Sequence, residues 1–261
     1  MYEFEYVRPK SVDEAVKALG AEDAQALAGG QTLIPTLKQR LAQPSVLVDL
    51  TGCLSREVKA TGDGGCEIGG AATHMTVATS RDAPEWLRAV AWHIGDAQVR
   101  NCGTIGGSLA NNDPAACYPA SVLASGATVK TNKRAIAADD YFRGLFETAL
   151  EEGEIITSVV FPKVEAANYQ KFEQPASHFP LVGVCVARTG DGVRVAVTGA
   201  SEGGVYRWTE AEQALSAGFS PDAVQDLRVS PDGMMGDLHG TPEYRAHLVG
   251  VLTRRAVAAC G

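Results

Sequence analysis

The 261 residues carry a net charge of −8, with 45% hydrophobic and 21% charged side chains. That is a globular balance, and the acidic excess argues against a protein that tracks nucleic-acid phosphates or anionic membrane surfaces. No apolar run reaches the roughly 18 residues of a membrane span, and Met1–Tyr6 lacks the basic end and apolar stretch of a secretory signal, so a cytoplasmic protein is expected.

In chain order, Ser11-Val-Asp-Glu14 reads as a capping box that opens a short helix, with Gly20 placed to close it. Gln25 to Ala28 reads as a strand running into Gly29-Gly30. Thr32 to Leu41 has helical spacing with Pro35 in its first turn, and Val46 to Leu50 is a buried strand candidate. Gly62 to Gly65 forms a turn before a strand at Glu67-Ile68, and Pro84 to Ile94 is helical, with Trp86 and Trp92 expected in the core. Tyr118 to Ser125 reads as a helix, and Ala127 to Thr131 and Glu154 to Phe161 as strands. A second unit begins near Ala166: a hairpin of Phe179–Ala187 and Val193–Thr198, then helices over Thr209–Ala217 and Tyr244–Ala259. This order predicts an α+β protein rather than a regular doubly wound one.

The six cysteines, at 53, 66, 102, 117, 185 and 260, contain no Cys-x-x-Cys, so neither a zinc ribbon nor an iron–sulfur loop is expected, and free thiols are. The five histidines show no His-x-x-x-His spacing and read as structural. Asp139-Asp140 and Glu151-Glu152 read as solvated surface.

Two glycine pairs carry the strongest local signal: Ala28-Gly-Gly-Gln-Thr32, and Thr104-Ile-Gly-Gly-Ser108 after Arg100-Asn101. Paired glycines let backbone approach a ligand and turn several N–H groups toward one point, which suits a diphosphate. A helix starting after the first pair would add its positive end. Neither Gly-x-Gly-x-x-Gly nor a Gly-Lys-Ser/Thr phosphate loop occurs, so the cradle is of another kind.

With Arg100-Asn-Cys-Gly-Thr-Ile-Gly-Gly-Ser-Leu-Ala-Asn-Asn-Asp-Pro-Ala-Ala116 and Asp237-Leu-His-Gly-Thr-Pro-Glu-Tyr-Arg245, these motifs give nearly the whole chain a resemblance to a known family. It resembles the FAD-binding medium subunit of molybdenum hydroxylases, which includes the medium subunit of aerobic carbon monoxide dehydrogenase and the flavin domain of xanthine dehydrogenase. The resemblance implies an α+β fold: a vanillyl-alcohol-oxidase (PCMH)-type FAD domain of two α+β halves over residues 1–165, then a small domain of three antiparallel strands and helices over 166–261. It implies that Ala28, Gly29, Gly30, Gln31, Thr32, Leu33, Thr104, Ile105, Gly106, Gly107 and Ser108 hold the FAD diphosphate. Ile94, Ile156, Lys171 and the aromatic Phe179 would approach the cofactor. Cys117 stands where many relatives have an aspartate that can bond the ribityl hydroxyls, and a thiol is a poor substitute acceptor. No residue is implied to be catalytic and none to bind metal.

The implied role is an oxidoreductase subunit, most like that of a carbon monoxide dehydrogenase. Substrate is oxidised at a molybdenum centre with molybdopterin cytosine dinucleotide on a large subunit, and electrons pass through two 2Fe–2S clusters on a small subunit to this chain's FAD. The assembly implied is a dimer of heterotrimers. Two other readings stand beside it: a stand-alone FAD oxidase of the same fold, and a nucleotide-binding module without redox turnover.

Overall fold

The computed structural model describes residues 1–260. The first layer is a small parallel sheet of β1 (Glu5–Val7), β2 (Ala24–Leu27) and β3 (Val46–Asp49), in the order β1-β3-β2, with α1 (Val12–Leu19) and α2 (Leu33–Lys38) as crossovers. The Ser11 hydroxyl accepts from the Glu14 amide at 3.2 Å. The return bond runs one residue earlier than in a standard capping box, from the Lys10 amide to Glu14 Oε2 at 2.8 Å. Helix α2 stops at Lys38, shorter than the expected Thr32–Leu41, and Arg40 follows with φ of 60°.

The second layer is an antiparallel sheet. It begins with β4 (Val58–Ala60) and β5 (Cys66–Gly69), after which the chain leaves it for five helices: α3 (His74–Thr79), α4 (Glu85–Trp92), α5 (Ala97–Cys102), α6 (Ile105–Asn111) and α7 (Tyr118–Ser125). It returns as β6 (Thr128–Thr131) and β7 (Ala135–Ala137), passes through α8 (Ala138–Tyr141) and the hairpin β8 (Phe142–Gly144)–β9 (Glu147–Thr148), and closes with β10 (Ile156–Phe161). Strand order is β4-β5-β10-β6-β7, so β10 fills the centre between β5 and β6. Helix α7 is buried along its entire length.

The third layer is the antiparallel sheet β11 (Ala166–Glu173), β12 (Pro180–Thr189) and β13 (Gly192–Thr198), with a two-residue fourth strand, β14 (Tyr206–Arg207), added to the three expected. Helices α9 (Thr209–Ala217) and α10 (Pro242–Ala259) follow. Alternation along the central hairpin sorts residues by size. Cys185, Ala187 and Ala196 face the larger core beneath α7, while Val182, Val184, Val186, Val195 and Val197 face the core beneath α10. Small side chains on one face let α7 lie close; β-branched ones fill the other. The sheet is thus covered on both faces, which is why β12 reads as a nearly continuous apolar run.

Ion pairs also cross between these layers. Asp139, expected as a solvated charge, accepts from Arg194 at 2.7 Å and lies 3.2 Å from Arg207. Trp86 packs edge-on to Phe161 in the core, but Trp92 is half exposed, with the Arg100 guanidinium 5.3 Å over its ring, so the expectation of a core Trp92 is corrected.

Candidate functional site

A cleft of about 860 Å³ runs between the first two layers. One wall is the turn leaving β2. Strand β2 lies at the sheet edge, and Gly30 (φ 69°) swings the backbone out of the strand before α2 starts. The Gln31 side chain clamps the turn by donating to the Gly29 carbonyl at 3.1 Å. The amides of Gly29, Gly30, Gln31 and Thr32 find no protein acceptor among the described residues, and the Thr32 hydroxyl makes no capping bond. Consecutive unpaired amides of this kind form an anion-binding concavity.

The second glycine pair works differently. It lies inside the first turn of α6, capped by Thr104, whose hydroxyl accepts from the Gly107 amide at 3.1 Å. The Gly106 amide donates to the Gly70 carbonyl at 3.1 Å, so these N–H groups are already spent within the protein. What the pair provides is proximity. A Cβ on Gly106 would come 2.6 Å from the Gly70 carbonyl oxygen, and one on Gly107 would come 3.0 Å from Thr104 Oγ1 and 3.5 Å from the Ala28 Cβ. A Cβ on Gly29 would come 2.2 Å from the Cys102 carbonyl oxygen and 2.6 Å from the Gly103 Cα. The two glycine segments therefore touch, although some 75 residues separate them in sequence.

Of the residues implied to bind cofactor, Ala28, Gly29, Gly30, Gln31, Thr32, Leu33, Thr104, Gly106, Gly107, Ser108, Ile156 and Phe179 line the cleft. Ile105 is buried in the core beneath it. Ile94 packs against the same core, and Cys117 is 4% exposed within it. Burial pushes the Cys117 thiol up, with Tyr169 and Lys171 as its polar neighbours. Lys171 is almost fully enclosed: Nζ donates to the carbonyls of His93 at 2.6 Å and His178 at 2.5 Å and sits 3.2 Å from Glu173. It fastens β11 to the end of α4 rather than standing on the cleft wall.

Several wall residues are not marked by the glycine motifs. Gly70 is one, held by its amide to the Thr157 carbonyl and closing the floor against Ile156; the Gly69-Gly70 pair before α3 is the signal that could mark it. Glu154, at the entry to β10, is another. Its side chain is sealed from solvent and takes two bonds from Arg134, at 3.0 and 2.9 Å, and one from Thr131 at 2.7 Å; the guanidinium holds the carboxyl down to about 2. His74, at the start of α3, is the third, and burial pushes its ring down to about 4, with Arg100 adding to the effect.

A dinucleotide carrying two phosphates fits these walls. Four free amides and the Thr32 hydroxyl supply donors to a dispersed negative charge, and the volume lies in the range of cofactor pockets. The glycine floor leaves no side chain between backbone and ligand. Fold and cleft together define a dinucleotide-binding architecture.

Residues 2–164 match the family model described as the FAD binding domain in molybdopterin dehydrogenase. Across nearly its full length the chain is similar to the nicotine 6-hydroxylase medium subunit of Paenarthrobacter nicotinovorans, with 36% identity covering 98% of this chain and 96% of that one. It is similar to the glyceraldehyde dehydrogenase medium chain of Sulfolobus acidocaldarius, with 33% identity over 97% of both. Among solved structures it superposes on carbon monoxide dehydrogenase from Hydrogenophaga pseudoflava with a TM-score of 0.89 at 31% identity, covering 99% of this chain and 97% of that chain. The chain belongs to the family of FAD-binding medium subunits of molybdenum hydroxylases, and is an oxidoreductase subunit with an FAD-binding domain. No helix among the described residues is long and apolar enough to cross a membrane.

Proposed function

We propose that this chain is the electron-transfer subunit of its hydroxylase, taking electrons from 2Fe–2S clusters on a small partner and delivering them to an external acceptor. The observation that carries the reading is the row of four unpaired amides at Gly29–Thr32, residues that line a cleft of dinucleotide size. Bound there, FAD would supply the redox chemistry. The chain's residues would bind and orient it. The Gly29–Thr32 amides and the Thr32 and Ser108 hydroxyls would hold the diphosphate, and Ile156 and Phe179 would form the apolar wall. Glu154, tied to Arg134, fixes the start of β10 and with it the position of Ile156.

No group of three His, Cys, Asp or Glu side chains among the described residues is placed to hold a metal ion. The similar chains are named medium subunits or medium chains, which supports placing the molybdenum cofactor and the iron–sulfur clusters on a large and a small partner, in a dimer of heterotrimers. The chain itself would divide at 165/166 into the FAD-binding unit and a C-terminal unit. The similar subunits come from enzymes named for nicotine, glyceraldehyde and carbon monoxide, which supports placing substrate choice on the large partner.

The test is cofactor analysis and single-turnover kinetics on the purified chain. It should carry FAD without iron, molybdenum or acid-labile sulfide, be bleached by dithionite, and show no reduction by substrate until both partners are added. Stoichiometric metal in the isolated chain, or fast substrate reduction without partners, would place the substrate chemistry on this chain and overturn the proposal.

A further inference from the structure

We propose that His74 is a further cofactor-contacting residue, offering an uncharged imidazole N–H to a diphosphate oxygen at the junction of the two glycine segments. This rests on the reading of the cleft as the FAD site. The ring lines the cleft while only 5% of the residue is exposed. Its backbone is pinned, the amide donating to the Gly103 carbonyl at 2.9 Å, and Thr73 caps the helix it begins. The ring itself lies on Gly103, so closely that a Cβ there would come 2.5 Å from Nε2. Gly103 is the residue against which Gly29 packs, so the imidazole is next to the turn that carries the free amides.

The two ring nitrogens differ. Nδ1 is fully buried with no hydrogen-bond partner in the protein. Nε2 is not sealed in this way and is the nitrogen that the contents of the cleft can reach. A neutral imidazole carries one N–H and one lone pair. A buried N–H with no acceptor is the costlier of the two to strand, so the proton belongs on Nε2 and the lone pair beneath it. The Tyr118 ring, 5.4 Å away between centroids, closes the buried side, and burial together with Arg100 disfavours a second proton. A donor that stays neutral adds no counter-charge to a site built from backbone dipoles.

The test compares three variants of the full chain by FAD content and by FAD affinity from flavin fluorescence. Gln places an amide nitrogen near the position of Nε2, Asn places one near Nδ1, and Phe fills the space with no donor. His74→Gln is expected to bind within about threefold of wild type. His74→Asn and His74→Phe are expected to lose about tenfold, the loss of one hydrogen bond to a charged group. Thermal unfolding of the apoproteins separates lost binding from lost fold, and Gln supplies the folded control. Long-range ¹H–¹⁵N correlations of the wild-type ring should show the Nε2–H tautomer. Wild-type affinity in His74→Phe, or an Nδ1–H ring in the FAD-loaded protein, would overturn this inference alone. A wild-type chain that takes up no FAD would overturn the cleft assignment itself.

Discussion

Gly29 and Gly103 lie in backbone contact, with no room for a single methyl group between them: a Cβ on Gly29 would come 2.6 Å from the Gly103 Cα. The contact joins the parallel layer to the antiparallel one at the floor of the cleft. It separates two kinds of glycine. Those at 29 and 106 are required for packing, and Gly30 is required for its φ of 69°.

Gly30→Val and Gly106→Val are each expected to lower FAD affinity by at least on the order of 2 kcal/mol, about 30-fold. They should do so by different routes. Gly106→Val drives a side chain into the Gly70 carbonyl and should also lower the melting temperature of the apoprotein. Gly30 meets the flexible end of Ile34, so its cost is chiefly the strained turn. Flavin content with apoprotein melting curves checks both, and full occupancy at normal stability in both variants would remove the diphosphate assignment.

Cys117→Asp tests the ribityl expectation. With the thiol enclosed in the core beside Tyr169, an aspartate would bury a carboxylate rather than meet the cofactor. The expected outcome is a loss of stability on the order of 2 kcal/mol with no gain in FAD affinity. Tighter FAD binding in this variant would mean that position 117 reaches the ribityl chain after all.

Acid sensitivity of the apoprotein should come in two steps. The His74 ring is pushed from an ordinary 6.5 to about 4 by burial, so the unfolded chain takes up a proton that the folded chain refuses. Stability is complete above about pH 6.5 and falls as pH drops toward 4. Glu154, held down to about 2 by the Arg134 hydrogen bonds, contributes stability present above its unfolded value of 4.5 and lost as pH falls through about 2. Denaturant melts across pH should show both steps, and His74→Phe should flatten only the first. Stability that stays constant from pH 6.5 to 4 in wild type would contradict a buried neutral ring.

Lys171→Met should loosen the join between β11 and α4. The substitution keeps the length of the side chain but leaves the His93 and His178 carbonyls and Glu173 without their shared donor. A loss on the order of 1–3 kcal/mol is expected, with faster hydrogen exchange in the turn between Glu173 and Phe179. Unchanged exchange there would show that Phe179 is held by its edge contact with His239 instead.

Elements with strong local patterns were legible in the sequence. The alternating valines of β12 and β13 and the helices at Tyr118–Ser125 and Thr209–Ala217 needed no tertiary information. Helix α6 did: Ile105–Asn111 contains two poor helix formers and is held by its Thr104 cap and by Gly70 beneath it. The same distinction runs through the site. The free turn at Gly29–Thr32 announces itself as a glycine pair between strand and helix. At Thr104–Ser108 the sequence marks the glycines but not that their amides are consumed by Gly70 and Thr104. His74 and Glu154 carry no local mark, because what makes each notable is a partner, or the lack of one, contributed by another element.

The contact between the glycine segments ties ligand occupancy to folding. A molecule held by the Gly29–Thr32 turn on one side and by the α6 floor on the other binds only when the two layers are docked, so its free energy of binding adds to their cohesion. By mass action this amounts to about 4 kcal/mol at a thousandfold excess of ligand over its dissociation constant. Depleting flavin would then unlatch the parallel layer, β1 to β3 with its helices, before the central antiparallel sheet opens. Flavin loading would thus set how firmly the two layers are joined as well as whether the cleft is filled.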